Sequence, residues 1–232
     1  MDASDVKKEL RKRIKPGKAK LLAGFFKTGK GEYGEGDKFL GVMVPDSREA
    51  AKKFKDLRIE EVKKLLSSGY HEERLTALLI LVQKYEKGSE DEKKRIFDFY
   101  LSNARYINNW DLVDLTAHRI VGHYLLGKDR KLLYRLAASK GLWERRISII
   151  STAAFIAKKD FADTIKISEI LLNDKHDLIQ KAVGWMLREI GKRDEKTLTK
   201  FLDKHSKKMP RTMLRYSIER LTSAQRKRYM AK

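Results

Sequence analysis

Apolar residues recur at spacings of three and four through almost the whole chain, and strand-like alternation is nearly absent. A sequence so patterned can bury its apolar stripes only by packing helix against helix. In Arg74 to Tyr85, for instance, Leu75, Leu78, Leu79 and Val82 form one stripe, and Arg74, Gln83 and Lys84 are expected to face water. Prolines stand only at 16, 45 and 210, so long stretches run uninterrupted. The pattern predicts helices near 4–14, 18–27, 47–55, 59–67, 71–87, 90–103, 110–126, 129–139, 143–158, 163–173, 176–191, 195–205 and 210–221. Asp46 or Ser47, Ser89, Asn108 or Asn109, and Asp174 are the candidate helix caps.

Similar helix openings return at His71-Glu-Glu-Arg, Trp110-Asp-Leu-Val, Trp143-Glu-Arg-Arg, His176-Asp-Leu-Ile and Pro210-Arg-Thr-Met, 39, 33, 33 and 34 residues apart. A period of that size belongs to arrays of helical hairpins, none of which can cover its apolar face alone. The expected fold is all-α, a single superhelical solenoid of HEAT-like helical hairpin repeats with a basic concave face. Residues 1–232 read as one domain, with 1–45 an N-terminal helical cap and glycine-rich loop and 46–232 the repeats. The loop is marked by Gly29, Gly31, Gly34, Gly36 and Gly41, crowded before Pro45.

Charge narrows the partner. The chain holds 53 Lys and Arg against 32 Asp and Glu, a net +21, and so large an imbalance repels itself unless a polyanion is the working partner. Nucleic acid is the first candidate. The absence of cysteine excludes disulfides, thiolate zinc sites and a cysteine nucleophile, and fits a reducing compartment. The charged start, with no apolar h-region, and apolar runs far short of a membrane span lead to the expectation of a soluble, cytoplasmic, nucleoid-associated monomer.

Several motifs bear on chemistry. Gly24-Phe-Phe-Lys-Thr-Gly29-Lys30-Gly31 nearly matches the phosphate-binding loop G-x-x-x-x-G-K-[ST], but Gly31 replaces the hydroxyl residue and the preceding segment reads as helix. Lys27 and Lys30 are then left to solvent or phosphates. The histidines at 71, 118, 123, 176 and 205 include no i, i+4 pair, so no metal site and no cofactor are expected. Trp110 and Asp114 stand four apart on one helix face, an indole beside a carboxylate, and Trp143 and Trp185 fall in the following repeats. Two readings of these residues stay open. The tryptophans can fill gaps between helices while Asp114 caps a helix or pairs with a base; or indoles and a carboxylate on an electropositive surface can hold a cationic sugar or base beside a phosphate backbone.

The combination of Phe39-Leu-Gly-Val-Met-Val-Pro45, Trp110-Asp-Leu-Val-Asp114, Trp143-Glu-Arg-Arg146 and Ile179-Gln-Lys-Ala-Val-Gly-Trp185-Met-Leu-Arg188-Glu189 resembles the AlkD-type bacterial DNA alkylation repair glycosylases. The resemblance implies hydrolysis of the N-glycosidic bond of cationic N3- or N7-alkylated purines, 3-methyladenine and 7-methylguanine among them, in double-stranded DNA, leaving an abasic site. It implies Asp114 as the catalytic carboxylate, Trp110 and Trp185 as indoles embracing the lesion's deoxyribose, and Arg146 as a phosphate contact. Arg188, Arg145 and Lys181 complete the expected DNA-binding set. Met43 stands where some relatives carry a polar residue. A HEAT-like protein that binds DNA structure without chemistry is the alternative, and a protein–protein scaffold is disfavoured by the charge.

Overall fold

The computed structural model describes residues 1–231. Among them the chain is all-α, with no strand and a single isolated bridge between Lys38 and Tyr70. The helices are α1 (Ala3–Arg11), α2 (Lys18–Phe25), α3 (Val44–Lys53), α4 (Ile59–Leu66), α5 (His71–Lys87), α6 (Glu90–Ser102), α7 (Trp110–Asp114), α8 (Lys131–Ala137), α9 (Leu142–Ser151), α10 (Ala153–Ala157), α11 (Ala162–Ile170), α12 (Asp177–Gly191), α13 (Glu195–His205), α14 (Arg211–Ile218) and α15 (Ser223–Met230). They group into two compact units, Met1–Leu112 and the chain from Val113 onward, and the division falls inside α7.

In the first unit α5 is the central element, with α1, α3, α4 and α6 packed on it. From Leu75 to Val82 every residue is buried, which is why one helix can serve several neighbours. Its first four residues, His71, Glu72, Glu73 and Arg74, are buried too. Arg74, expected to face water, is only 4% exposed, because its guanidinium has a buried carboxylate to meet.

In the second unit α8 packs on α9, α9 on α12, and α12 on α13 and α14. A close approach to backbone is at Gly184 on α12, where an added Cβ would lie 2.5 Å from the Met213 carbonyl oxygen and 2.5 Å from the Tyr216 Cβ. A similar approach brings Gly122 against the Ser151 carbonyl, so both positions require the absence of a side chain.

Several element boundaries differ from expectation for identifiable reasons. The expected helix over 110–126 is broken: α7 ends at Asp114, a turn follows, and His118–Gly122 forms a π-helical turn. The helix expected over 143–158 divides at Thr152 into α9 and α10. At α3 the start lies at Val44, ahead of the expected caps, with Pro45 in the first turn, where its missing N–H costs nothing. Asp174 does not cap α12; the Nδ1 of His176 accepts from the Leu178 N–H instead, and Asp174 accepts from the His176 N–H. Ser89 caps α6 as expected, with Glu92 closing a capping box. Helix α15 was not expected, since its basic sequence has no apolar stripe; a capping box of Thr222 and Gln225 starts it.

Gly184→Ala is therefore expected to destabilise the protein by about 1–3 kcal/mol, because the atom it meets is backbone and cannot turn away. Gly24→Ala, inside α2 with no atom within 4 Å of the new Cβ, should instead be neutral or stabilise by up to about 1 kcal/mol. Urea unfolding midpoints measure both; equal effects would remove the close approach as the cause.

Candidate functional site

Asp114 is the last residue of α7, and the turn and π-helical segment that follow break the regular α-helical ladder beyond it. Its carboxylate is met by Arg146 of α9 through two parallel bonds, Nε to Oδ1 at 2.8 Å and Nη2 to Oδ2 at 2.7 Å. The remaining nitrogen, Nη1, donates to the carbonyl of Leu178 in the first turn of α12. The side chains are 13% and 5% exposed, so this is a two-point, nearly dry ion pair and far from a mobile surface contact. The Arg146 guanidinium, expected to contact phosphate, meets Asp114 and a backbone carbonyl in this structure. Trp185 lies on α12 beside Gly184 and is half-buried, as is Trp143 on α9.

Trp110, the first residue of α7, belongs to the first unit and is also half-buried. It sits in a cluster of rings from the N-terminal segment. Phe26 stacks on it with centroids 5.1 Å apart and an interplanar angle of 26°, and Phe25 meets it edge to face at 5.8 Å. The indole Nε1–H donates to the Tyr33 hydroxyl at 3.2 Å. The end of α2 thus supplies rings to Trp110, and the glycine-rich loop supplies a hydroxyl.

Behind this cluster, the start of α5 forms a buried polar hub. His71 Nδ1 lies 3.0 Å from Asp37 Oδ2 and Nε2 lies 2.8 Å from Asp111 Oδ2, with Asp111 adjacent to Trp110. Arg74 holds Asp37 from the other side at 2.7 and 2.8 Å. Glu72 accepts the N–H groups of Leu40, Gly41 and Val42 at 2.9, 2.8 and 3.1 Å, which explains why the Phe39-to-Pro45 stretch has one shape. Glu73 pairs with Lys7 and Arg11 of α1. Burial alone would push the His71 imidazole down, but the charge of Asp111 and hydrogen bonds to Asp111 and Asp37 overcome it and raise its pKa from 6.5 to about 9. Asp37 resists burial in the same way, held below the usual carboxylate range by the His71 bond and the Arg74 charge.

The other expected DNA contacts are each occupied by a protein partner. Arg145 donates to Asp174 at 2.7 Å and to the carbonyls of Ser139 and Lys140, tying the loop before α9 to the one before α12. Arg188 pairs with Glu219, and Lys181 with Asp177 at 2.6 Å. Glu219 and Asp177 are about half exposed, so both pairs are open to water and weak. Lys27 and Lys30 are exposed. The residues that sequence reasoning missed are His71, Asp37 and Asp111. The one signal was a charged quartet, His71 to Arg74, placed where an apolar stripe begins, but nothing local in sequence joins 37, 71 and 111.

A family model described as DNA alkylation repair enzyme matches residues 6–221, and the chain belongs to that family. Among solved structures, it is similar to a protein described as a predicted DNA alkylation repair enzyme from Enterococcus faecalis, at 16% identity and a TM-score of 0.69, covering 91% of this chain and 98% of that one. At that identity the likeness speaks for the helical fold. No curated protein matches the chain. No helix among the described residues is long and apolar enough to cross a membrane.

The hub sets a pH window. A raised histidine contributes stability that is complete below pH about 6.5 and is lost as the pH climbs through about 9; the lowered Asp37 contributes above about 4 and loses its part as the pH falls. Thermal unfolding should show wild type losing stability between pH 6.5 and 9.5, with a flatter profile over that range for His71→Gln. Parallel profiles would exclude His71 as the titrating group.

Proposed function

We propose that the protein is a monofunctional DNA glycosylase that hydrolyses the N-glycosidic bond of cationic N3- or N7-alkylated purines in duplex DNA and leaves an abasic site. Membership of the repair family supports the DNA substrate, and the Asp114–Arg146 pair is the observation that carries the chemistry. Alkylation at N3 or N7 makes the purine a cationic leaving group, so no general acid is needed. The barrier lies in the positive charge that develops on the sugar as the bond lengthens. A fixed carboxylate stabilises that charge and orients a water, and it does so best when it need not reorganise during the reaction. Arg146 supplies the fixing: two parallel bonds set the carboxylate's plane, and the Leu178 carbonyl sets the guanidinium's. Trp110 and Trp185 supply indole faces to the cationic sugar, worth about 0.5–2 kcal/mol each.

In this reading Arg146 positions Asp114, and phosphate binding falls to Arg188, Lys181 and Arg145, which exchange carboxylates for phosphates when duplex binds. The partner is double-stranded DNA carrying alkylated purines, met by a cofactor-free monomer associated with the nucleoid.

Asp114→Asn, which keeps the shape and deletes the charge, should leave duplex affinity within about twofold and reduce single-turnover release of 7-methylguanine by about 10²-fold or more. Arg146→Ala should abolish excision while leaving the salt dependence of duplex binding unchanged, and should cost about 3–5 kcal/mol of stability, because it strands a buried carboxylate. Arg188→Ala should do the reverse, weakening all duplexes and lowering the salt slope by about one. Equal excision by wild type and Asp114→Asn would remove Asp114 from the mechanism. If wild type binds duplex and releases no base, the non-catalytic DNA-binding alternative takes its place.

A further inference from the structure

His71 has no part in the proposed chemistry, yet it reaches Trp110 by two independent routes. One is polar: its Nε2 lies 2.8 Å from the carboxylate of Asp111, the residue next to Trp110 at the start of α7. The other is through rings: His71 lies 4.9 Å from Phe26, centroid to centroid, and Phe26 stacks on the indole at 5.1 Å. Phe39 closes the stack, 4.6 Å from His71 and 5.1 Å from Phe26. All of these residues lie within the first unit.

We propose that His71 is the positioning residue for Trp110: an imidazolium clamped between Asp37 and Asp111, it fixes both the opening of α7 and the ring stack on which the indole lies, and so sets the indole face that the substrate meets. The proposal rests on the reading of Trp110 as a substrate contact. Its physical basis is donor number. Imidazolium carries two N–H donors and satisfies both carboxylates at once, whereas neutral imidazole has one and must leave a carboxylate without it. Asp37 would keep its bonds from Arg74, and Asp111 the N–H of Leu112 at 2.8 Å, so loss of the proton loosens the link between the hub and α7 more than it opens the hub itself. The other charges of this turn are committed elsewhere: Glu72 to three backbone N–H groups and Glu73 to Lys7 and Arg11. The aromatic faces of Phe26 and Phe39 favour the cation over the neutral ring.

The test is a ¹⁹F titration of the full chain labelled with 5-fluorotryptophan. The three signals are assigned with Trp110→Phe and Trp185→Phe, and followed from pH 6 to 10.5. The Trp110 signal should shift with an inflection near 9 that Trp143 and Trp185 do not share. His71→Gln should abolish the inflection, and Tyr33→Phe, which removes the other ionisable group at the indole, should keep it. At pH 7.5, His71→Gln should release 7-methylguanine about tenfold more slowly at saturating enzyme, with duplex affinity within twofold. A Trp110 signal flat over the range, an inflection lost in Tyr33→Phe and kept in His71→Gln, or wild-type excision by His71→Gln would overturn the proposal. Should His71→Gln fail to fold, the wild-type and Tyr33→Phe titrations decide alone. If the inflection is present and wild type releases no base, His71 still positions Trp110, and it is the glycosylase reading that fails.

Discussion

Four consecutive charged or ionisable side chains at the buried start of α5 govern the first unit. Charged groups are stable away from water only when each has a partner, and His71, Glu72, Glu73 and Arg74 find theirs in different stretches of chain. His71 takes Asp37 and Asp111, Glu72 takes the backbone of 40–42, Glu73 takes α1, and Arg74 takes Asp37 and the Ser68 carbonyl. Helix α1 buries Ala3, Val6 and Leu10, but α2 has no buried residue at all. To that apolar contact the hub adds charged and backbone partners from α1 and from residues 37–42. The ring stack that reaches Trp110 is built on the same support.

The second unit applies this logic at the spacing of the repeat. Arg146 meets Asp114 across 32 residues, Arg130 meets Asp160 and Asp163 across 30 and 33, Arg145 meets Asp174 across 29, and Arg188 meets Glu219 across 31. Each separation is close to the 33 residues between helix openings, so the pairs join equivalent places in successive hairpins. Apolar stripes let hairpins slide along one another at little cost. Directional ion pairs, above all the forked arginine contacts, do not, and they fix the register that apolar burial leaves loose.

This explains what could be read in advance. Helix class and most boundaries follow from an apolar period that every repeat carries, and the openings at 71, 110, 143, 176 and 210 mark elements that exist as expected, with α14 beginning one residue after Pro210. The breaks were not legible, because a π-helical turn at His118–Gly122 and a division at Thr152 arise from close packing at Gly122 and Ser151, a tertiary demand with no local signature. At the candidate site, Asp114, Arg146 and the tryptophans were found from their spacing and from family likeness. Their partners were not: both the pairing of Asp114 with a base and a catalytic role for it were open from sequence, and the geometry makes these compatible, since the pair is what holds the carboxylate still. His71 was passed over because a histidine announces itself in sequence only through a metal or catalytic spacing, whereas this one acts through aspartates 34 residues before it and 40 after.

The net charge of +21 gives the buried pair at Asp114 a further meaning. On the proposed reading, a carboxylate required next to a polyanion faces a conflict: the phosphates that attract the basic chain would repel it and favour its retreat from the substrate. An exposed lysine could not relieve this, since phosphate would compete for it. A guanidinium held at 5% exposure by two bonds to the carboxylate and a third to a backbone carbonyl is shielded from that competition and travels with Asp114 as a fixed counter-ion. In the proposed mechanism, the same pairing that lowers the carboxylate's pull on a distant cation holds it oriented at short range, where charge on the sugar would develop. In that mechanism surface cations meet the duplex, and one buried cation keeps the anion oriented in its presence.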